Sequence, residues 1–134
     1  MLWFLPPLCW TGLILYLGGG QWSGEHTSSW FEPMLRALWP SLSPELIDAV
    51  HFLVRKTAHV SEYAVLAVLW RRATGKSWIA WALSVLTACV DEIHQRFTPG
   101  REGSVSDVLL DGTGAAAALF LVSVLLSNLR KTAT

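Results

Sequence analysis

Charge is scarce in this chain. Acidic and basic side chains make up 15% of its 134 residues, against roughly 25% in soluble domains. The ten basic and ten acidic residues cancel, and the basic ones are scattered, which speaks against a nucleic-acid partner. Cysteine is limited to Cys9 and Cys89, each inside an apolar run. They are expected to be buried thiols, and their spacing is not that of a metal site. There is no H-E-x-x-H helix, no Gly-rich phosphate loop and no G-x-S-x-G turn. Internal repeats and low-complexity tracts are absent. The N-terminus lacks a basic leader, Pro6-Pro7 interrupts its apolar run, and no A-x-A pattern follows. It is expected to be a retained membrane helix and not a cleaved signal.

Apolar surface is abundant. Hydrophobic residues make up 52% of the chain, with eight tryptophans, and mean hydropathy is +0.41. Four apolar stretches stand out: residues 2–17, closed by Gly18-Gly19-Gly20, then about 51–70, 78–94 and 108–126. Roughly 20 residues cross a ~30 Å hydrocarbon core. The expectation is one domain over residues 1–134, an all-α membrane protein built as a four-transmembrane-helix bundle. A short interfacial helix over Met34 to Trp39 would lie between the first two spans. Ser43-Pro44-Glu45 reads as the start of a helix, with Ser43 as cap and Pro44 in the first helical position.

Basic residues near helix ends set orientation. Arg71, Arg72 and Lys76 would share a side with Arg130 and Lys131, which puts both termini in the cytoplasm. Arg36, Arg55, Lys56, Arg96 and Arg101 would lie outside.

The remaining polar residues form a pattern. On the second stretch Lys56, His59 and Tyr63 share a helical stripe, with Arg55 and Glu62 beside it. At 1.5 Å per residue Glu62 would lie ~16 Å deep, where a charge costs at least ~2.5 kcal/mol. It must therefore face protein or water. The third stretch ends with Asp91, Glu92, His94 and Gln95, followed by a turn at Pro99-Gly100. The fourth opens near Ser104 or Ser106 and sets Asp107 and Asp111 on one face, continued by the small residues Gly114 and Ala118, which allow close helix packing. In an up-and-down arrangement these three sets meet at one end of the bundle, on the outer side.

The string Lys56-x-x-His59-x-x-Glu62-Tyr63, then Asp91-Glu92-x-His94-Gln95-x-Phe97-x-Pro99-Gly100-Arg101, then Ser106-Asp107-x-x-x-Asp111-x-x-Gly114, closely resembles the VanZ-like family over about residues 51–118. The resemblance implies a small integral membrane protein with a bacterial envelope role, in a family whose founding branch is linked to resistance to glycopeptides, teicoplanin above all. It implies no settled reaction.

The residues admit several uses. The ionisable groups can simply pair and fix packing, although buried ion pairs stabilise poorly. They can line a cavity in which Lys56, Glu62, Tyr63, Gln95, Arg101 and Asp107 bind a ligand. Membrane lipids, a lipid-linked envelope precursor or the glycopeptide itself are the expected partners, with the arginine on phosphate or carboxylate. They can also support catalysis. Asp91, Glu92, Asp107 and Asp111 offer oxygens to a divalent metal, and His59, Asp91 and His94 are the candidate acid–base groups for hydrolysis of a phosphorylated lipid-linked substrate. A proton- or ion-coupled transport role would call for a homo-oligomer.

Overall fold

The computed structural model describes residues 2–101 and 103–132, apart from the side chains of Gln21 and Glu25. The described residues form helices and turns, with no strand among them. A 3-10 turn over Leu2–Phe4 leads into α1 (Leu5–Leu17), and a second over Gly20–Trp22 leads into α2 (Gly24–Leu38). Three longer helices follow: α3 (Pro44–Thr74), α4 (Ser77–Arg96) and α5 (Val105–Thr132).

Local chemistry explains the boundaries. α1 stops where Gly18 begins the triple glycine. The Ser43 hydroxyl caps α3, accepting from the Leu46 N–H at 3.3 Å, and Pro44 occupies the first turn, where no intrahelical donor is needed. α3 therefore begins seven residues before its apolar run. It ends at Gly75, whose positive φ of 71° is open to glycine without strain. The Gly75 N–H bonds the Arg71 carbonyl at 2.8 Å, and only Lys76 separates this cap from α4. Such a tight turn makes α3 and α4 antiparallel neighbours.

α2 is longer than the short segment expected around Met34. Ser23 caps it, accepting from the His26 N–H at 3.4 Å, so the polar stretch after residue 23 is helical and not loop. Phe31 and Leu35 are buried against Ile47 of α3, while Trp30, Met34 and Leu38 are left exposed.

α3, α4 and α5 pack against one another, and α1 lies over α3 and α4. Small side chains allow the close approach: Ala67, Ala80, Ala88 and Ala115 are fully buried, and Ser84 nearly so. A Cβ on Gly114 would sit 2.8 Å from Val60 Cγ1 and 3.1 Å from the Val60 carbonyl oxygen, so α5 crosses α3 at that glycine. Two indoles fasten helices to each other. Trp10 Nε1 donates to the Glu62 carbonyl at 2.9 Å, and Trp81 Nε1 to the Gly112 carbonyl at 3.0 Å.

Charged groups are buried beside the apolar core while large apolar side chains lie on the surface. Asp91, Glu92, Gln95 and Asp111 are buried, while Leu109 and Phe120 of α5 are 69% and 68% exposed. α5 is long and apolar enough to cross a membrane by length and composition. Both cysteines are free thiols, and Cys9 is exposed rather than buried, because α1 turns Pro7 and Ile14 inward and the Cys9 face outward.

Candidate functional site

The last turn of α1, the middle of α3, the end of α4 and the start of α5 converge at one end of the bundle. Their polar side chains fall into three connected groups.

Asp91 organises the first. It follows Ala80, Ser84 and Ala88 down the buried face of α4, and its Oδ2 accepts from Gln95 Nε2 at 2.9 Å and from Tyr63 Oη at 3.4 Å. Its Oδ1 is buried without a hydrogen-bond partner and lies against Gly18, where a Cβ would overlap it. The end of α1 therefore seats on the carboxylate only because residue 18 has no side chain.

Arg101 holds α1 there. From the turn after α4 its guanidinium donates to the Leu17 carbonyl at 2.7 Å, one of the acceptors that a helix C-terminus leaves unpaired. Burial first, and then the like charge of Arg55, pull this guanidinium below its ordinary range, yet an arginine keeps its proton. Arg101, Arg55, His59, Glu62 and Asp91 line a cavity of about 150 Å³, with Gly18 and Trp22 on its α1 side. Arg55 makes no hydrogen bond or ion pair among the described residues.

The second group is an ion pair, Lys56 Nζ on Asp107 Oδ1, which ties α3 to the first turn of α5. The third lies between them. His59 of α3, Glu92 of α4 and Asp111 of α5 bring one ligand atom each to within 4.8 Å of one another. His59 Nδ1 is 3.8 Å from Asp111 Oδ2. Glu92 Oε2 accepts from the Ser104 N–H at 2.6 Å, ahead of α5.

The residues singled out from sequence are distributed over these groups. Glu62, Tyr63, Asp91, Gln95 and Arg101 surround the cavity or support its wall. His59 reaches both the cavity and the three-residue cluster. Asp107 is engaged by Lys56 and Asp91 by Gln95, so the cluster takes Glu92 and Asp111 from the four carboxylates considered for a metal. His94 is exposed, away from this gathering. Arg55 was placed only beside the polar stripe, and Gly18 was not picked out as a site residue. Gly18 was legible only as a helix stop, and nothing in the sequence tied α1 to Asp91.

The sequence profile of the VanZ/LLP1 family matches residues 3–126. No curated protein and no solved structure matches the chain. The match takes in α1 and α2 as well as the motif-bearing helices. Together with the apolar α5 it identifies a membrane protein, and the chain belongs to the VanZ/LLP1 family.

Proposed function

We propose that this is a four-span membrane protein, a single domain with both termini in the cytoplasm, whose outward cavity takes the phosphate-bearing head group of a membrane lipid or lipid-linked envelope precursor. The observation that carries the reading is the pair of guanidiniums on one cavity. Two guanidiniums facing one cavity attract an anion, and Arg55 makes no ion pair among the described residues. Glu62 and Asp91 share the walls, so the cavity suits a head group of mixed charge better than a bare anion.

Size separates the candidate ligands. At about 150 Å³ the cavity falls below the ~300–1,000 Å³ of sites for drug-sized ligands. It fits a head group whose tails stay in the bilayer. A whole glycopeptide antibiotic is far too large, so any effect on glycopeptides would be exerted through the envelope component bound. The four-span reading rests on α1, α3, α4 and α5, with α2 lying along the interface on its exposed Trp30, Met34 and Leu38. Asp91, Glu92 and Gln95 of α4 are buried and His59 and Glu62 of α3 half-buried, and such inward groups lower the hydropathy of both helices without exposing those charges to lipid.

The test is native mass spectrometry of the chain in micelles, titrated with phosphatidic acid and, separately, phosphatidylcholine. Phosphatidylcholine, whose head group carries both charges, should bind wild type at least as well as phosphatidic acid. A charge-assisted hydrogen bond contributes ~1.5–3 kcal/mol, so Arg55→Gln should weaken binding of both lipids ~10-fold or more. Equal binding by wild type and Arg55→Gln would overturn the reading.

A further inference from the structure

We infer that His59, Glu92 and Asp111 form a divalent-cation site at the junction of α3, α4 and α5. Each comes from a different helix, and their ligand atoms lie within 4.8 Å of one another. Donors ~2.1 Å from one tetrahedral ion stand ~3.4 Å apart. The widest separation therefore has to close by about an ångström or slightly more, a movement that side-chain rotation of the histidine and the two carboxylates can supply.

The second observation is independent of this proximity. Asp111 and Glu92 are 1% and 4% exposed. Neither oxygen of Asp111 has a hydrogen-bond partner, nor does Glu92 Oε1, nor His59 Nδ1. Buried polar groups are almost always satisfied, and an isolated buried carboxylate is among the most unfavourable things a fold can hold. The protein's own cations do not resolve this. Lys56 is taken by Asp107, and Arg101 donates to the Leu17 carbonyl. His59 approaches Asp111 but forms no hydrogen bond with it. Two carboxylates and an imidazole, joined only by the long 3.8 Å contact between His59 and Asp111, carry the lone pairs that a dication requires.

The donors narrow the ion. Carboxylates alone would suit magnesium or calcium, and the imidazole shifts preference toward manganese or zinc. Glu92 is already oriented by the Ser104 N–H, the kind of outer contact that fixes a ligating carboxylate. Three protein ligands leave coordination positions free, as in sites where the ion meets a substrate, and His59 also lines the neighbouring cavity. The site stands without the head-group reading, whose test falls on Arg55.

The experiment uses the full chain in detergent, stripped with a chelator, dialysed and titrated with Zn²⁺ or Mn²⁺ by calorimetry, with elemental analysis of the product. Wild type should take one equivalent per chain. His59→Gln and Glu92→Gln should each weaken binding at least tenfold, and the exposed-histidine variant His94→Gln should bind as wild type. Asp111→Asn belongs to the same series, and the other two variants carry the test if it does not fold. No uptake by folded wild type, or uptake undiminished in His59→Gln and Glu92→Gln, or uptake lost in His94→Gln alone, would overturn the proposal.

Discussion

Gly12 and Gly18 belong to the same short helix region, yet alanine should act on them with opposite sign. A glycine inside a helix is less favourable than alanine by ~0.5–1 kcal/mol, because it surrenders more backbone freedom on folding. At Gly12 an added Cβ meets nothing within 4 Å, so Gly12→Ala should stabilise by up to that amount. Gly18 is also right-handed, with φ −63° and ψ −16°, so its backbone accepts alanine equally well. Its Cβ, however, would overlap Asp91 Oδ1 and lie 3.3 Å from Asp91 Cγ. The carboxylate cannot swing aside freely, because Gln95 holds its other oxygen at 2.9 Å. Either α1 backs away or that bond is lost. Overpacking a tight contact typically costs ~1–3 kcal/mol, which exceeds the backbone gain, so Gly18→Ala should destabilise by about 1–2 kcal/mol. The assay is reversible unfolding in mixed micelles, followed by the fluorescence of the eight tryptophans. Repeating Gly18→Ala on an Asp91→Ala background should remove most of the penalty, since residues in contact couple and distant ones do not. If Gly18→Ala proves as stable as Gly12→Ala, α1 does not rest on Asp91 and does not close that side of the cavity.

Further outcomes can be checked on the same preparation. Asp107→Leu strands the Lys56 ammonium and should lower the unfolding midpoint, whereas Asp107→Leu combined with Lys56→Met should recover most of the loss, because removing both partners of a buried pair is far milder than removing one. Trp10→Phe, which deletes the indole bond to the Glu62 carbonyl, should destabilise by ~0.5–1.5 kcal/mol, read as a shift in the same transition. Arg101→Lys should weaken the hold on the Leu17 carbonyl and raise protease cleavage near residues 18–22, since the flexible, strongly hydrated ammonium is less easily held at that part-buried acceptor than the rigid guanidinium. For topology, single cysteines at Ser41 and Lys76, on a background without Cys9 and Cys89, should react with an impermeant thiol reagent from opposite sides of the membrane. Labelling from one side would contradict the four-span arrangement.

The helical class, the stop at Gly18, the cap at Ser43 and the gathering of residues from α3, α4 and α5 were all legible in the sequence. Each depends on near-neighbour spacing or on a turn residue with a definite backbone role. The pairing within the gathering was not legible. Asp91, Glu92, Asp107 and Asp111 are alike in type and spacing, and only packing decides that one meets Gln95, one Lys56 and the other two His59. The seating of α1 was invisible for a similar reason, because a contact between Gly18 and Asp91 leaves no periodicity to read. α2 was read too short because its first turns are polar and resemble loop until the Ser23 cap is seen. Hydropathy alone singles out only α5, since α3 and α4 carry charges, among them the buried Asp91 and Glu92, that depress it.

The pair between Lys56 and Asp107 joins residues 51 apart in the chain. At a synthesis rate of ~5–20 residues per second, Lys56 emerges several seconds before its counter-ion exists. In the proposed four-span arrangement α3 carries an unneutralised ammonium during that interval, which is expelled from hydrocarbon unless it reaches the interface. The second helical stretch should thus wait at the membrane surface, or inside the insertion machinery, until α5 arrives. Truncating the gene before Asp107 should leave a nascent chain that inserts poorly, however apolar its remaining residues are.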